Sequence, residues 1–151
     1  MSAMPKMNPQ GARARGRARR LTLQGLYQWQ LSGAPAREIV AELLASQNIK
    51  DTDTEYFEEL LKGIVAASSE LEAAFAPHLD RPAAQLDPIE RGILLLSTYE
   101  LKERLDVPYR VVLNEAVELA KGFGAEESHK YINAVLDKTA GELRRAERAA
   151  G

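Results

Sequence analysis

Apolar side chains recur along most of this chain at the three- and four-residue spacing of a single buried helical face, and no stretch alternates with the period of two that marks a strand. Between about residues 16 and 32, Ala18, Leu21, Thr22, Gly25, Leu26 and Trp29 follow that rhythm, which leaves Arg20 and Tyr27 on the other side. Ser32, Gly33 and Pro35 break the pattern before Ile39, Val40, Leu43 and Leu44 begin a second helix. Thr52-Asp53-Thr54-Glu55 has the spacing of a capping box, in which hydroxyl and carboxylate satisfy opposite ends of a first turn. Behind it, Phe57, Leu60, Leu61, Ile64, Ser68, Leu71 and Phe75 form one stripe and predict a long core helix that stops at Pro77.

Pro77, Pro82 and Pro88 mark residues 76–88 as the boundary between two helical halves, with room for one short helical turn. Asp87 is placed to cap the following helix, with Pro88 at its first position and Glu90 three residues beyond the cap. The run ILLLSTYEL is apolar on more than one face, which predicts a central, largely buried helix. A stop follows near Asp106-Val107-Pro108. The next helix carries Val112, Leu113, Ala116, Val117 and Ala120, and Gly122 and Gly124 can supply the left-handed backbone needed at its end. The last helix begins near Glu126 with Ile132, Val135, Leu136, Thr139 and Leu143 on one stripe, and the charged residues beyond Arg144 are expected to fray. The predicted class is all-α. A flexible arginine-rich arm over 1–15 precedes helical bundles over 16–80 and 81–147, packed as one globular unit, and 148–151 is a frayed tail.

Charge changes this picture at one end. The first 37 residues hold seven basic side chains and no acidic one, against 13 basic and 22 acidic in the remaining 114, so the net charge of -2 conceals a strongly polar chain. Arg13, Arg15, Arg17, Arg19 and Arg20 crowd into eight positions and lead directly into the first helix. Guanidinium groups pair bidentately with phosphate and release condensed counterions, so one reading is a tethered polyanion-binding arm. The other is a leader that aids solubility and binds nothing. Residues 1–12 carry little to bury and include both Pro and Gly, which predicts disorder.

Catalytic chemistry has little support. His78 and His129 are the only histidines, lie far apart and have no partners at metal-ligand spacing. The pairs Glu58-Glu59, Glu100-Glu103 and Glu126-Glu127 have the look of solvated helix faces. Gly122-Phe123-Gly124 lacks both the preceding strand and the full glycine spacing of a phosphate loop. With no Cys, thiol catalysis and cysteine-ligated metal are excluded. No apolar run is long enough to span a bilayer, and a reducing cytoplasm fits the composition. The expectation is a chain without enzymatic activity, metal or cofactor.

The segment GFGAEESHKYINAVLDK, residues 122–138, places Phe123 between glycines in a turn, where its ring either plugs a junction or offers a stacking platform to an unpaired base. Lys130 and Tyr131 follow, with Glu127 one turn earlier on the same side. Charge together with exposed rings is what single-stranded RNA recognition requires.

Three segments carry a resemblance: the arginine-rich lead into RARRLTLQGLYQWQLSG, then DPIERGILLLSTYEL, then DVPYRVVLNEAVELAKGFGAEESHKYINAVLDK. In order and over roughly residues 15–140, the chain resembles the NusB family of bacterial transcription antitermination factors. The resemblance implies two packed three-helix bundles, with or without one extra short helix. It further implies binding to boxA-type single-stranded RNA together with ribosomal protein NusE, within an RNA polymerase complex that suppresses termination and supports ribosomal RNA synthesis. Carried over by position, the RNA-facing residues are Arg15, Arg17, Arg19 and Arg20 with Tyr27 on the first helix, and Phe123, Glu127, Lys130 and Tyr131 farther along. Gly16 interrupts a basic run that is denser in some relatives, and Glu127 and Tyr131 stand where DSHKF-type relatives have Asp and Phe. Glu90 matches a position near the family's NusE-binding surface, while its local role as part of a helix cap needs no partner. A related helical domain fronts some RNA cytosine methyltransferases, but this sequence has neither a catalytic Cys nor a glycine-rich cofactor motif. The rival to RNA binding is a helical protein-interaction scaffold with an incidental basic tail.

Overall fold

The computed structural model describes residues 8–150, and among these eight α-helices and three short 3-10 turns alternate with loops, with no strand. Expectations for residues 1–7 and for 151 lie outside the described residues. The chain divides into two compact units, residues 1–62 and 63–151.

The first unit holds α1 (Pro9–Ser32), α2 (Ala36–Ser46) and most of α3 (Thr54–Ala66). Helix α1 begins at Pro9, well before residue 16, so residues 9–15 are helical where a flexible arm was expected. Local chemistry explains the early start. The Asn8 side chain accepts the Gly11 N–H at 2.7 Å, and Pro9 occupies the first position, where its missing donor is no loss. Gly33 ends the helix at φ 69°, with its N–H on the Trp29 carbonyl, as a left-handed cap should. Leu21, Leu26, Ile39, Val40, Phe57, Leu60 and Leu61 supply the core. Its tightest point is Gly25, where an added Cβ would lie 2.8 Å from one Leu61 methyl and 3.3 Å from a Leu43 methyl, so the three helices meet there without a side chain between them. Asp53, rather than Thr52, caps α3, accepting the Tyr56 N–H at 3.1 Å.

The second unit takes the end of α3 together with α4 (Ser68–Phe75), α5 (Pro88–Glu103), α6 (Tyr109–Gly122), α7 (His129–Leu143) and α8 (Arg145–Ala150). The single long helix expected over 54–75 is broken at Ala67, whose φ of -108° and ψ of 16° leave the helical region. Its N–H still reaches the Gly63 carbonyl and its own carbonyl still receives the Leu71 N–H, so the apolar stripe continues through the break and Leu71 and Phe75 are fully buried. Two 3-10 turns, Ala76–His78 and Ala83–Gln85, occupy the proline-rich connection where one was expected. Helix α5 is central, packing against α4, α6 and α7, and every residue from Gly92 to Thr98 is buried. Its N-terminus carries the full capping box: Asp87 Oδ1 accepts the Glu90 N–H at 2.8 Å while Glu90 Oε1 accepts the Asp87 N–H at 3.2 Å.

Beyond Arg144 the chain forms α8 in place of a frayed tail. Arg144 is only 4% exposed and donates to three carbonyls at the end of α5: Leu101 at 2.6 Å, Glu100 at 3.1 Å and Arg104 at 3.0 Å. The Glu100 carbonyl also accepts the Arg104 N–H and the Arg104 carbonyl the Val107 N–H, so the guanidinium adds a charged donor to a helix end that the backbone closes only in part. Glu147 then accepts the Tyr109 N–H at 2.9 Å at the start of α6, and Arg148 binds both the Asp137 carbonyl and its carboxylate.

Candidate nucleic-acid interface

The five clustered arginines separate into two sets once they are placed on α1. At 100° per residue, Arg13, Arg17, Arg20 and Tyr27 fall within about 80° of one another. All four are exposed. They form a stripe that is basic toward the N-terminus and aromatic farther along, and Tyr27 is 42% exposed. Arg15 and Arg19 lie on the opposite side and turn inward onto the Tyr56 ring, with their guanidinium carbons 4.4 Å and 5.7 Å from its centroid. Arg19, expected among the phosphate contacts, is 3% exposed and so is not on the open face; Arg15 is half-buried. Helical phase separates them. In an irregular arm all five would be equivalent, whereas in a helix beginning at Pro9 alternate arginines diverge.

In the second unit, the turn between α6 and α7 gathers the other candidates. Phe123 sits at the C-terminal cap of α6, half-buried, and Gly124 follows at φ 79°. The chain then makes the turn Glu126–Ser128, where Glu127 is exposed, and enters α7, where Lys130 is exposed and Tyr131 is half-buried. Tyr131 is fixed on two sides by the connection before α5. Its hydroxyl oxygen accepts the Asp80 N–H at 3.2 Å, and the Arg81 guanidinium lies 4.6 Å from its ring centroid. Arg81 in turn donates to Asp80 at 2.8 Å. That hydrogen bond holds the Asp80 carboxyl below its ordinary range and raises the Arg81 guanidinium, while burial pushes the Tyr131 phenol up.

Glu90 is 6% exposed, and both its oxygens are engaged within the unit. One completes the α5 capping box and the other receives the Ser128 hydroxyl. His78 pairs with Glu142. Among the described residues no group of three or more His, Asp or Glu is arranged to hold a metal ion.

Sequence reasoning missed four residues that shape these surfaces: Tyr56, Asp80, Arg81 and Ser128. Tyr56 could have been found one residue ahead of the α3 stripe, because an aromatic there faces α1. Arg81 had no local signal, since its contact with Tyr131 crosses 50 residues and two helices.

Residues 16–141 match the NusB family model. The chain is 54% identical to the transcription antitermination protein NusB of Pseudoalteromonas atlantica, over 89% of this chain and 96% of that protein. It is also 54% identical to the protein of the same name from Alcanivorax borkumensis, over 93% of each. Among solved structures, the fold is similar to a chain in a crystal structure of antitermination factors NusB and NusE in complex with dsRNA, with a TM-score of 0.78 and 29% identity, covering 86% of this chain and 98% of that one. T. maritima NusB gives 0.75 at 28% identity, covering 91% of this chain and 94% of that one. With a family model spanning most of its length and relatives identical at half their positions, this chain belongs to the NusB family.

Proposed function

We propose that this chain is a non-enzymatic RNA-binding adaptor of transcription antitermination, which takes up boxA-type single-stranded RNA together with ribosomal protein NusE on RNA polymerase and so supports ribosomal RNA synthesis. The observation that carries this reading is the α1 stripe, three exposed arginines in line with an exposed tyrosine on a member of the NusB family. Relatives named as antitermination proteins and a solved complex of NusB, NusE and RNA support the same assignment.

Arg13, Arg17 and Arg20 supply phosphate contacts, which give affinity without sequence preference. Arg15 and Arg19 contribute from behind the stripe, through Tyr56. Tyr27 and Phe123 offer rings for stacking, and Glu127, Lys130 and Tyr131 offer polar edges that select among unpaired bases. Glu90 serves the NusE surface by fixing the start of α5, since its carboxylate is already committed. The proposed RNA and protein contacts call for no metal or cofactor. The place of work is the cytoplasm, and no helix among the described residues is long and apolar enough to cross a membrane.

The test is titration of boxA-type RNA against a scrambled strand, with and without NusE. Tighter binding of the matched strand, strengthened by NusE, is expected. Equal and weak binding of both strands with intact NusE binding would favour a protein-interaction scaffold.

A further inference from the structure

The first turns of α1 are ordered although they carry no large apolar side chain beyond Pro9. Beyond Pro9, residues 10–17 are only glutamine, glycine, alanine and arginine, and a short helical end of that composition unravels in water unless something fastens it. Two fasteners come from the beginning of α3. The Asp53 N–H donates to the Ala14 carbonyl at 3.1 Å, and the Tyr56 ring, itself 3% exposed, receives Arg15 and Arg19. Asp53 also accepts the Tyr56 N–H, so the residue that ties α3 to the α1 backbone fixes the turn that presents the ring.

We infer that Tyr56 is a positioning residue for RNA binding: it is buried and meets no RNA, and by clasping Arg15 and Arg19 it holds the first turns of α1 to the phase that the buried Leu21 and Leu26 set farther along, which keeps Arg13 and Arg17 outward in line with Arg20. This rests on the RNA-binding reading above. The two sets are locked by covalent geometry, because Arg15 and Arg17 are two residues apart and therefore point to nearly opposite sides of a helix. Fixing one set fixes the other. A cation against an aromatic face is a suitable clasp for a basic segment, since the ring attracts guanidinium groups without itself carrying a charge. A stripe already ordered meets RNA without the entropic cost that a disordered arm bears on binding.

The experiment compares the full chain with Tyr56→Phe and Tyr56→Leu, reading RNA affinity, NusE affinity and amide exchange over residues 9–17 in the free protein. Tyr56→Phe keeps the ring and should stay within about twofold of the parent in RNA affinity, given the small share of a cation–ring contact that the hydroxyl carries. Tyr56→Leu keeps apolar volume and removes the ring. It should weaken RNA about tenfold, the loss of one or two such contacts, and accelerate exchange over 9–17, with NusE affinity unchanged. Parental RNA affinity and exchange in Tyr56→Leu would overturn the role, as would a loss in Tyr56→Phe equal to that in Tyr56→Leu. If Tyr56→Leu melts without cooperativity, Arg15→Met asks the same question at a half-buried position. Faster exchange there supports the clasp. Unchanged exchange with a salt slope lowered by about 0.7 makes Arg15 a direct phosphate ligand and overturns it. Failure of the parent chain to bind RNA at all would sink the functional reading instead, an outcome distinct from each of these.

Discussion

The Ser128 hydroxyl donates to the Glu90 carboxylate at 2.5 Å, joining the turn that opens α7 to the first turn of α5. The same carboxylate closes the α5 capping box, so one nearly buried charge organises two helix starts. Ser128→Ala should therefore cost about 1.5 to 3 kcal/mol, the range for a hydrogen bond to a charged group. Glu90→Ala should cost more, because it also opens the cap. Urea denaturation of both variants checks the order, and a milder effect from Glu90→Ala would contradict it.

Salt dependence separates the outward arginines from the inward pair. Arg17→Ala and Arg20→Ala should each flatten the salt slope of RNA binding by about 0.7 while weakening matched and scrambled strands alike. Arg19→Ala should instead lower thermal stability, since it removes a buried side chain held near Tyr56. A slope change from Arg19→Ala with an unaltered melt would place that guanidinium on phosphate after all.

Phe123 offers a different signature. If its half-buried ring stacks on a base, Phe123→Ala should cost about 1 to 3 kcal/mol of RNA affinity with the salt slope intact, because stacking releases no counterions. A sharply lowered melting temperature with unchanged RNA affinity would make the ring a plug for the α6–α7 turn.

The Asp80–Arg81–Tyr131 contact makes a statement about pH. Tyr131 has its phenol pushed up, mainly by burial, so the contribution of the protonated phenol to stability is complete below the ordinary tyrosine value of about 10 and disappears as pH rises through the higher folded value. Asp80 is shifted the other way, so the ion pair with Arg81 persists at neutral pH and is lost as pH falls through a value below the usual carboxylate range. Ultraviolet titration of the parent against Tyr131→Phe should reveal one late-ionising tyrosine. An early one would mean the hydroxyl is open to water.

Arg144→Ala should cost about 2 to 4 kcal/mol by removing a buried guanidinium bonded to the Leu101, Glu100 and Arg104 carbonyls, and Arg144→Lys should rescue little because an ammonium lacks the planar fork. Calorimetric melts of the two variants provide the check.

The helices were legible because burial on one face writes itself into spacing. Asp87, Pro88 and Glu90 announced the start of α5, and ILLLSTYEL announced its centrality. What escaped was set by contacts distant in sequence or by a single backbone angle. The break at Ala67 leaves the apolar stripe intact and so leaves no trace in periodicity. The early start at Pro9 depends on Asn8 as a cap and on Asp53 reaching Ala14, within a segment whose composition reads as disordered. For the site, the basic and aromatic residue types were visible, yet only the helix shows that alternate arginines face opposite ways. Tyr131 was visible as well, but Arg81 and Asp80 at its ring and hydroxyl were not.

The carbonyls that Arg144 closes belong to residues 40 to 44 positions earlier in the chain. On a growing polypeptide the end of α5 emerges first and waits for that guanidinium, about 2 to 9 s at ordinary rates of synthesis. Until then the guanidinium's three bonds at the end of the central helix are missing, and the Glu100 and Arg104 carbonyls are held by local backbone donors alone. The second unit is therefore completed late in translation, and a ribosome stalled between these positions holds a nascent chain whose central helix is formed but unsealed.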